Sequence, residues 1–256
     1  MLGLKGGVKL KTETYRALIL HQNHVVSDLV RLTLNHGLFV VQAVRNLAEA
    51  EAALAAWQPH IAIVEMDHDD SAPLLELLGT SRAPGVRGTP VLGLTQRGDL
   101  AIKLHAFDLG VDDILVVPFS PEELLARAIV IARRRTGTDR PMVTPIRLGE
   151  IELDILARVI RVGESVVRLS SIEQSLLYLL ASRSGQVVER ETILDVIWGP
   201  DFVADSNVVD RHIQSLRNKL RDPYKAPRFI ATVPGRGYQF LPTFSNVGWE
   251  AGLKQD

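Results

Sequence analysis

The chain has 256 residues, 46% of them hydrophobic and 23% charged, with a formal net charge of −1. That length allows two domains with real cores, and the balanced charge argues against a surface that binds nucleic acid all over. No apolar run approaches the roughly 18 residues of a membrane span, and the lack of cysteine excludes disulfides, thiolate metal sites and cysteine nucleophiles. Residues 1–14 hold Lys5, Lys9 and Lys11 without the apolar stretch or cleavage pattern of an export signal. They are expected to be an N-terminal extension of a cytoplasmic protein.

From Tyr15 to about Arg135, short apolar runs alternate with amphipathic helical segments. The runs ALIL (17–20), FVVQAV (39–44), IAIVEM (61–66), PVLGLT (90–95) and DDILVV (112–117) predict five strands. Helices are predicted at about Val25–Asn35, Leu47–Trp57, residues 73–79, Asp99–Asp108 and Pro121–Arg135. Five β-α units in series imply a doubly wound, five-stranded parallel sheet of flavodoxin-like type, with its sites at the carboxyl ends of the strands.

Residues 136–145 carry charges, Gly and Pro without periodicity, and read as a linker. From 146 to 170 short alternating strands, broken at Gly149 and Gly163-Glu164, predict a small antiparallel sheet. Ser170 and Glu173 form a capping box that opens a helix with Ile172, Leu176, Leu179 and Leu180 inward. A second helix runs from Arg190 to Trp198 and stops at Gly199-Pro200. A third, within residues 206–220, places Val209, Ile213, Leu216 and Leu220 on one side and Arg211, Gln214, Ser215 and Asn218 on the other, with Asn207 as its cap. Arg217, Lys219 and Arg221 flank that polar face as point charges. The stretch TVPGRGYQF (232–240) then predicts a β-hairpin with a projecting tip. Three helices followed by a hairpin describe a winged-helix α+β domain over 146–245, with a tail at 246–256.

The N-terminal half resembles the receiver domain of bacterial response regulators. The most specific piece is GVDDILVVPFSPEEL (110–124), which matches the family pattern G-A-D-D-Y-x-x-K-P-F-x-x-x-E-L except at the functional positions. By position, His21 and Gln22 stand where the family has its acidic Mg²⁺-binding pair, and Glu65 stands at the phosphoacceptor aspartate. Thr95 keeps the family's hydroxyl, Val117 replaces its lysine and Ile114 its aromatic switch residue. Without paired carboxylates little holds Mg²⁺, so no phosphorylation is expected. Glu65 carries a charge that mimics a phosphorylated aspartate, but opposite Val117 it is expected to be a leftover carboxylate without a cationic partner. His21, His24, Glu65, Asp67, His68, Asp69 and Asp70 supply N and O ligands at this mouth. Their spacing matches no metal motif, so a solvated loop, with no metal and no cofactor, is the plainer expectation. Lys103, Asp113, Glu123 and Arg127 match positions where such regulators form a symmetric homodimer, although Glu123 and Arg127 can also pair along one helix.

The C-terminal half resembles the OmpR/PhoB-type winged-helix DNA-binding domain. The motifs L-S-x-x-E, V-D-x-H-I-x-x-L-R-x-K-L and T-V-x-G-x-G-Y-x-F occur in family order and spacing. The resemblance implies base-edge contacts from Arg211, Gln214, Ser215 and Arg217. It implies phosphate-backbone contacts from Trp198, Asn207, His212 and Thr232, and a wing-tip contact from Arg236. Arg211 stands where the family commonly has an apolar residue, and Gln214 and Ser215 where arginines are common. The site it reads should therefore differ from the family's familiar ones. The expected function is sequence-specific regulation of transcription on paired half-sites in double-stranded DNA, with RNA polymerase as a further partner and no catalysis. The alternatives are a protein-binding adaptor acting through the loop Gly199–Asp205, or a receiver that senses a small ligand or metal.

Overall fold

The computed structural model describes residues 14–80, 88–136, 143–203 and 207–241. The expected extension with its lysines, most of the linker, the tail and residues 204–206 lie outside them.

The N-terminal half is built from β1 (Tyr15–Leu20), α1 (His24–Leu34), β2 (Phe39–Val44), α2 (Leu47–Trp57), β3 (Ile61–Glu65), α3 (Ser71–Thr80), β4 (Val91–Thr95), α4 (Leu100–Asp108), β5 (Asp113–Val116) and α5 (Pro121–Thr136). Its parallel sheet has the order β2-β1-β3-β4-β5. The strands read as continuous apolar runs because both faces are covered, yet they sort by parity. Ala17, Ile19, Ile61, Ile63, Leu92, Leu94 and Leu115 point into one core, whereas Leu18, Leu20, Ala62, Val64, Val91 and Ile114 point into the other. Between β1 and β3 the strand order reverses, which brings His21, Gln22 and Glu65 to one crevice.

The C-terminal half begins with a meander of β6 (Ile146–Leu148), β7 (Ile151–Asp154), β8 (Val159–Val162) and β9 (Ser165–Arg168). Next come α6 (Ser171–Ser182), β10 (Val187–Glu189), α7 (Arg190–Trp198), α8 (Val208–Leu220), β11 (Ile230–Val233) and β12 (Gly237–Phe240). The capping box forms as expected, with Ser170 Oγ accepting from the Glu173 N–H at 3.3 Å and Glu173 Oε2 accepting from the Ser170 N–H at 2.7 Å. Strand β10 escapes sequence reading, since Val187 and Val188 are too short a run to signal one. It joins the hairpin in a sheet of order β10-β12-β11. Gly199, at φ +97°, ends α7 in a conformation that a side chain would resist.

The two halves share one of the two cores. A continuous buried cluster runs from Tyr15, Val30 and Leu125 on one side to Leu176, Ile213 and Phe240 on the other. Helix α1 packs against α6, and α5 touches it as well. His36 and Tyr178 meet fully buried, Nε2 to hydroxyl at 2.6 Å, while His36 Nδ1 lies 2.8 Å from the Thr144 carbonyl. Because the carbonyl only accepts, Nδ1 carries the proton and Nε2 receives the tyrosine's. Arg183 reaches Asp28 at 2.8 Å, and the Glu122 carboxylate accepts from Gln174 at 2.7 Å and from Ser171 at 3.2 Å.

Candidate nucleic-acid interface and the receiver pocket

Helix α8 buries Val209, Ile213, Leu216 and Leu220 and exposes Arg211, Gln214 and Asn218, the division that its periodicity predicts. Gln214 Nε2 donates to Asn218 Oδ1 at 3.0 Å, so the two amides orient each other on the outer face. Asn207 sits at the N-cap, but its side chain makes no capping bond, contrary to the expectation for it. Its φ of −123° and ψ of 15° depart from the extended cap geometry that aims the amide oxygen at the first turn.

Arg217 overturns its assignment as a base reader. It is buried, and its guanidinium donates from Nε and Nη2 to the Ile230 carbonyl at 3.2 and 2.6 Å and from Nη2 to Thr232 Oγ1 at 2.9 Å. The group also lies 5.3 Å from the Tyr224 ring centre and 5.8 Å from that of Tyr238. Arg217 therefore ties α8 to the wing strand, and Thr232 is engaged by it. The warning lay in the spacing, because position 217 follows Ile213 by four and precedes Leu220 by three, inside the apolar stripe. Arg217→Ala is expected to lower stability by about 2 kcal/mol, since a buried carbonyl and hydroxyl lose a charged donor. A denaturation midpoint equal to that of the parent chain would show that these bonds hold nothing.

Ser215 and Lys219 also turn inward in part. Ser215 Oγ donates to Glu173 Oε1 at 2.7 Å, and Lys219 Nζ lies 2.6 Å from Glu173 Oε2. Burial of Glu173 pushes its carboxyl up, but the bonds from Lys219, the Ser170 N–H and Ser215 together outweigh this and hold it below its ordinary value. Asp210, in the first turn of α8, accepts from the Tyr238 hydroxyl at 2.5 Å and from Arg190 at 2.9 Å. Burial first, then the bond and charge of Asp210, push the Tyr238 phenol up to about 12. These contacts fix α8 against both α7 and the wing. Trp198 stacks against Phe202 and tilts over His212, with ring centres 6.0 and 5.4 Å apart. Arg236 at the wing tip is exposed and 3.3 Å from Glu189.

At the receiver mouth, Glu65 Oε2 accepts the Gln22 N–H at 2.7 Å and lies 3.2 Å from His21 Nδ1. Burial, the largest influence, lowers the His21 pKa against the raising charges of Glu65 and Asp67. Its Nδ1 accepts the Asn23 N–H at 3.1 Å, which fits a neutral ring. Thr95 donates to Asp67 Oδ1 at 3.0 Å, and the Gln96 N–H donates to Asp67 Oδ2 at 2.6 Å. Sequence reading counted Asp67 among the N and O donors of the mouth, with a solvated loop as the plainer expectation. The structure makes it an internal acceptor for the hydroxyl and amide at the end of β4. Among the described residues no three His, Asp or Glu side chains gather as a metal-binding group.

On the third surface, Arg127 donates to Asp113 at 2.7 Å and to Glu123 at 2.8 Å within the chain. Hydrogen bonds from the guanidinium to these two carboxylates raise its pKa. Helix α4 exposes Leu100, Leu104 and Phe107, at spacings of four and three, on the stripe that also holds Lys103.

A family model described as "Transcriptional regulatory protein, C terminal" matches residues 163–240. The response regulator ArlR of Staphylococcus aureus is 40% identical over 152 residues, which cover 59% of this chain and 67% of that protein. The chain belongs to the OmpR/PhoB family of response regulators. The transcriptional activator protein IrlR of Burkholderia pseudomallei is 41% identical over 150 residues, and the match spans 59% of this chain but 64% of IrlR. Among solved structures, the OmpR/PhoB homolog DrrB of Thermotoga maritima aligns at 24% identity over 90% of this chain and 100% of its own, with a TM-score of 0.42. The RstA DNA-binding domain of Klebsiella pneumoniae, solved in complex with the RstA box, aligns at 32% identity over 39% of this chain and 98% of its own, with a TM-score of 0.36.

In this OmpR/PhoB chain the structure gathers Arg211, Gln214 and Asn218 on the outer side of α8, with the exposed Arg221 at its C-cap, apart from the inward Arg217. His21, Gln22, Glu65 and Thr95 converge at the strand ends with Asp67, and the Val117 N–H donates to the Thr95 carbonyl at 2.8 Å. Among the described residues no helix is long and apolar enough to cross a membrane.

Proposed function

We propose that this chain is a cytoplasmic, sequence-specific regulator of transcription that binds double-stranded DNA through α8 and the wing. The observation that supports this reading is the division of α8. Its apolar stripe and Arg217 anchor it to the domain, which leaves Arg211, Gln214, Asn218 and Arg221 outward. A guanidinium suits guanine O6 and N7, and an amide suits adenine N6 and N7. Trp198, Asn207, His212 and Arg236 border this face and meet phosphates, whereas Lys219 and Thr232 are held by Glu173 and Arg217. Arg211→Ala is expected to weaken binding to a selected DNA site by about 1–3 kcal/mol and to relax preference at one base pair. Unchanged affinity and preference in a mobility-shift titration would defeat the assignment.

The receiver takes no phosphate in this reading. His21 and Gln22 replace the Mg²⁺-binding carboxylates, and Thr95 already donates to Asp67. Incubation with acetyl phosphate and Mg²⁺ is expected to leave the intact mass unchanged, and a gain of one phosphoryl group would refute this. The active form is a homodimer through α4, β5 and α5. Since Asp113, Glu123 and Arg127 are satisfied within the chain, the exposed Leu100, Leu104 and Phe107 supply the adhesion, with Lys103 at the rim. RNA polymerase is a further partner, met through the loop after α7, where Phe202 and Val203 are exposed. The same loop supports the second reading, an adaptor that contacts protein without DNA. Steep salt dependence of DNA binding favours the first.

A further inference from the structure

We infer that the cleft between α1 and the end of β2 is a non-covalent binding site for a compact organic phosphate, linked to the winged helix through Asp28. The inference goes beyond the DNA-binding reading and stands or falls without it. Its basis is a cleft of about 260 Å³ walled by α1 and by the residues that end β2. Helix α1 turns Val25, Val26, Leu29, Val30, Leu32 and Leu34 into the core. His24, Ser27, Asp28 and Arg31 fall at i, i+3, i+4 and i+7, a single polar stripe, and all four line the cleft. The opposite wall is small at Ala43, and Arg45 stands just past the strand.

The lining is cationic. Among the described residues that form it, Arg31 and Arg45 carry guanidiniums and Asp28 is the one carboxylate. Asp28 is held from the other half by Arg183, at 2.8 Å, closer than the 3.8 Å to Arg31. Glu49 turns instead to the start of α2, where it accepts from the Arg45 N–H at 2.9 Å and from Asn46 at 3.2 Å. Guanidinium forks suit a phosphate, whose oxygens accept paired bonds. The Ser27 hydroxyl and the His24 ring add donors for a hydroxyl or ester oxygen. The volume lies just below the roughly 300 Å³ at which pockets for drug-sized ligands begin, so the body of the ester is a few carbons long. Strand β2 lies on the side of β1 opposite β3, and neither Glu65 nor Thr95 lines the cleft. The site is therefore separate from the receiver mouth.

Asp28 connects the cleft to the other half. A phosphate that engages Arg31 leaves Asp28 to Arg183, and its own charge adds to the attraction on that guanidinium. Both effects hold the C-terminal end of α6 against α1, so an occupied cleft favours the docked arrangement of the halves. The coupling is reciprocal. Without Arg183, Asp28 turns its charge on Arg31 and competes with the ligand.

The test is titration of the isotopically labelled full chain with glycerol 3-phosphate at constant ionic strength, followed by amide NMR shifts. Inorganic phosphate and malate are titrated in parallel. The expected result is saturable shifts within residues 21–31 and 43–46, with the ester at least threefold tighter than inorganic phosphate and malate weaker than both. Arg45→Gln, at an exposed position, should weaken binding about tenfold, as the loss of a charged donor does. Arg183→Ala should weaken it about threefold, and Arg147→Ala, exposed on β6, should leave it unchanged. Shifts that do not saturate, or that Arg45→Gln does not weaken, would overturn the site. Malate bound more tightly than the phosphates would overturn the ligand class, and equal binding of inorganic phosphate would overturn the organic body. An Arg183→Ala chain that binds like the parent would overturn the link to the winged helix.

Discussion

Replacing Gly237 with alanine is expected to destabilise the C-terminal half by about 3 kcal/mol, at the upper end of overpacking costs. Gly237 opens β12, paired with Glu189 on β10 and Val233 on β11. A Cβ there would lie 2.0 Å from the Val188 carbonyl oxygen and 2.9 Å from the Glu189 Cα. Both are backbone atoms, so no rotamer change relieves the clash, and β10 must part from β12. The displacement would carry into Tyr238, which holds Asp210 at the start of α8, and into Arg236 at the wing tip. DNA affinity should fall along with stability. Thermal unfolding is the direct measurement, and the expected drop is roughly 6–12 °C for a chain of this size. A melting temperature within a degree of the parent chain would mean that β10 and β12 are not held as described.

The second large effect is a dependence on pH set by His36. Burial lowers its pKa from 6.5 to about 4, against smaller raising contributions from the Thr144 carbonyl and the charge of Asp154. In the unfolded chain the imidazole takes its proton near 6.5, while in the folded chain it stays neutral until about 4. Unfolding thus takes up a proton between these values, and the folded state loses stability as pH falls through the window. The stabilisation is whole above 6.5 and amounts to about 3 kcal/mol at most, of which about 2 kcal/mol is lost by pH 5. Denaturant midpoints at pH 7.5 and 5 should show a loss about 2 kcal/mol larger in the parent chain than in His36→Gln. Equal losses would remove His36 from the account. Since His36, just past the end of α1, bonds Tyr178 of α6, the same titration should loosen the junction between the halves.

The elements of the fold were legible because each announces itself over a few residues. Strands β1 to β5 appear as short apolar runs, α8 as a stripe at helical period, and α6 by the Ser170–Glu173 box. Strand β10 was not legible, because three residues carry no pattern and gain strand character only from β12. The polar outer face of α8 was visible in outline, and Arg211, Gln214 and Asn218 stand where their spacing puts them. Arg217 was misplaced because its charge was weighed above its position in the apolar stripe. Asp113, Glu123 and Arg127 were matched to an interface between chains. The structure joins them within one chain, since residues four apart on a helix meet, and β5 delivers Asp113 beside them.

What the sequence determined by itself is therefore local: periodicity, turns, the Ser170–Glu173 cap, the absence of a carboxylate pair at His21 and Gln22, and the outward half of α8. Each depends on neighbours within a turn or a strand, where the chain's own geometry brings residues together. Only the tertiary structure decided that Asp67 occupies Thr95, that Arg217 belongs to the wing, and that α1 and α6 share one core. Those contacts join residues that are distant in sequence. Whether a polar side chain faces solvent or a partner there depends on which surface arrives opposite it, and no local pattern records that.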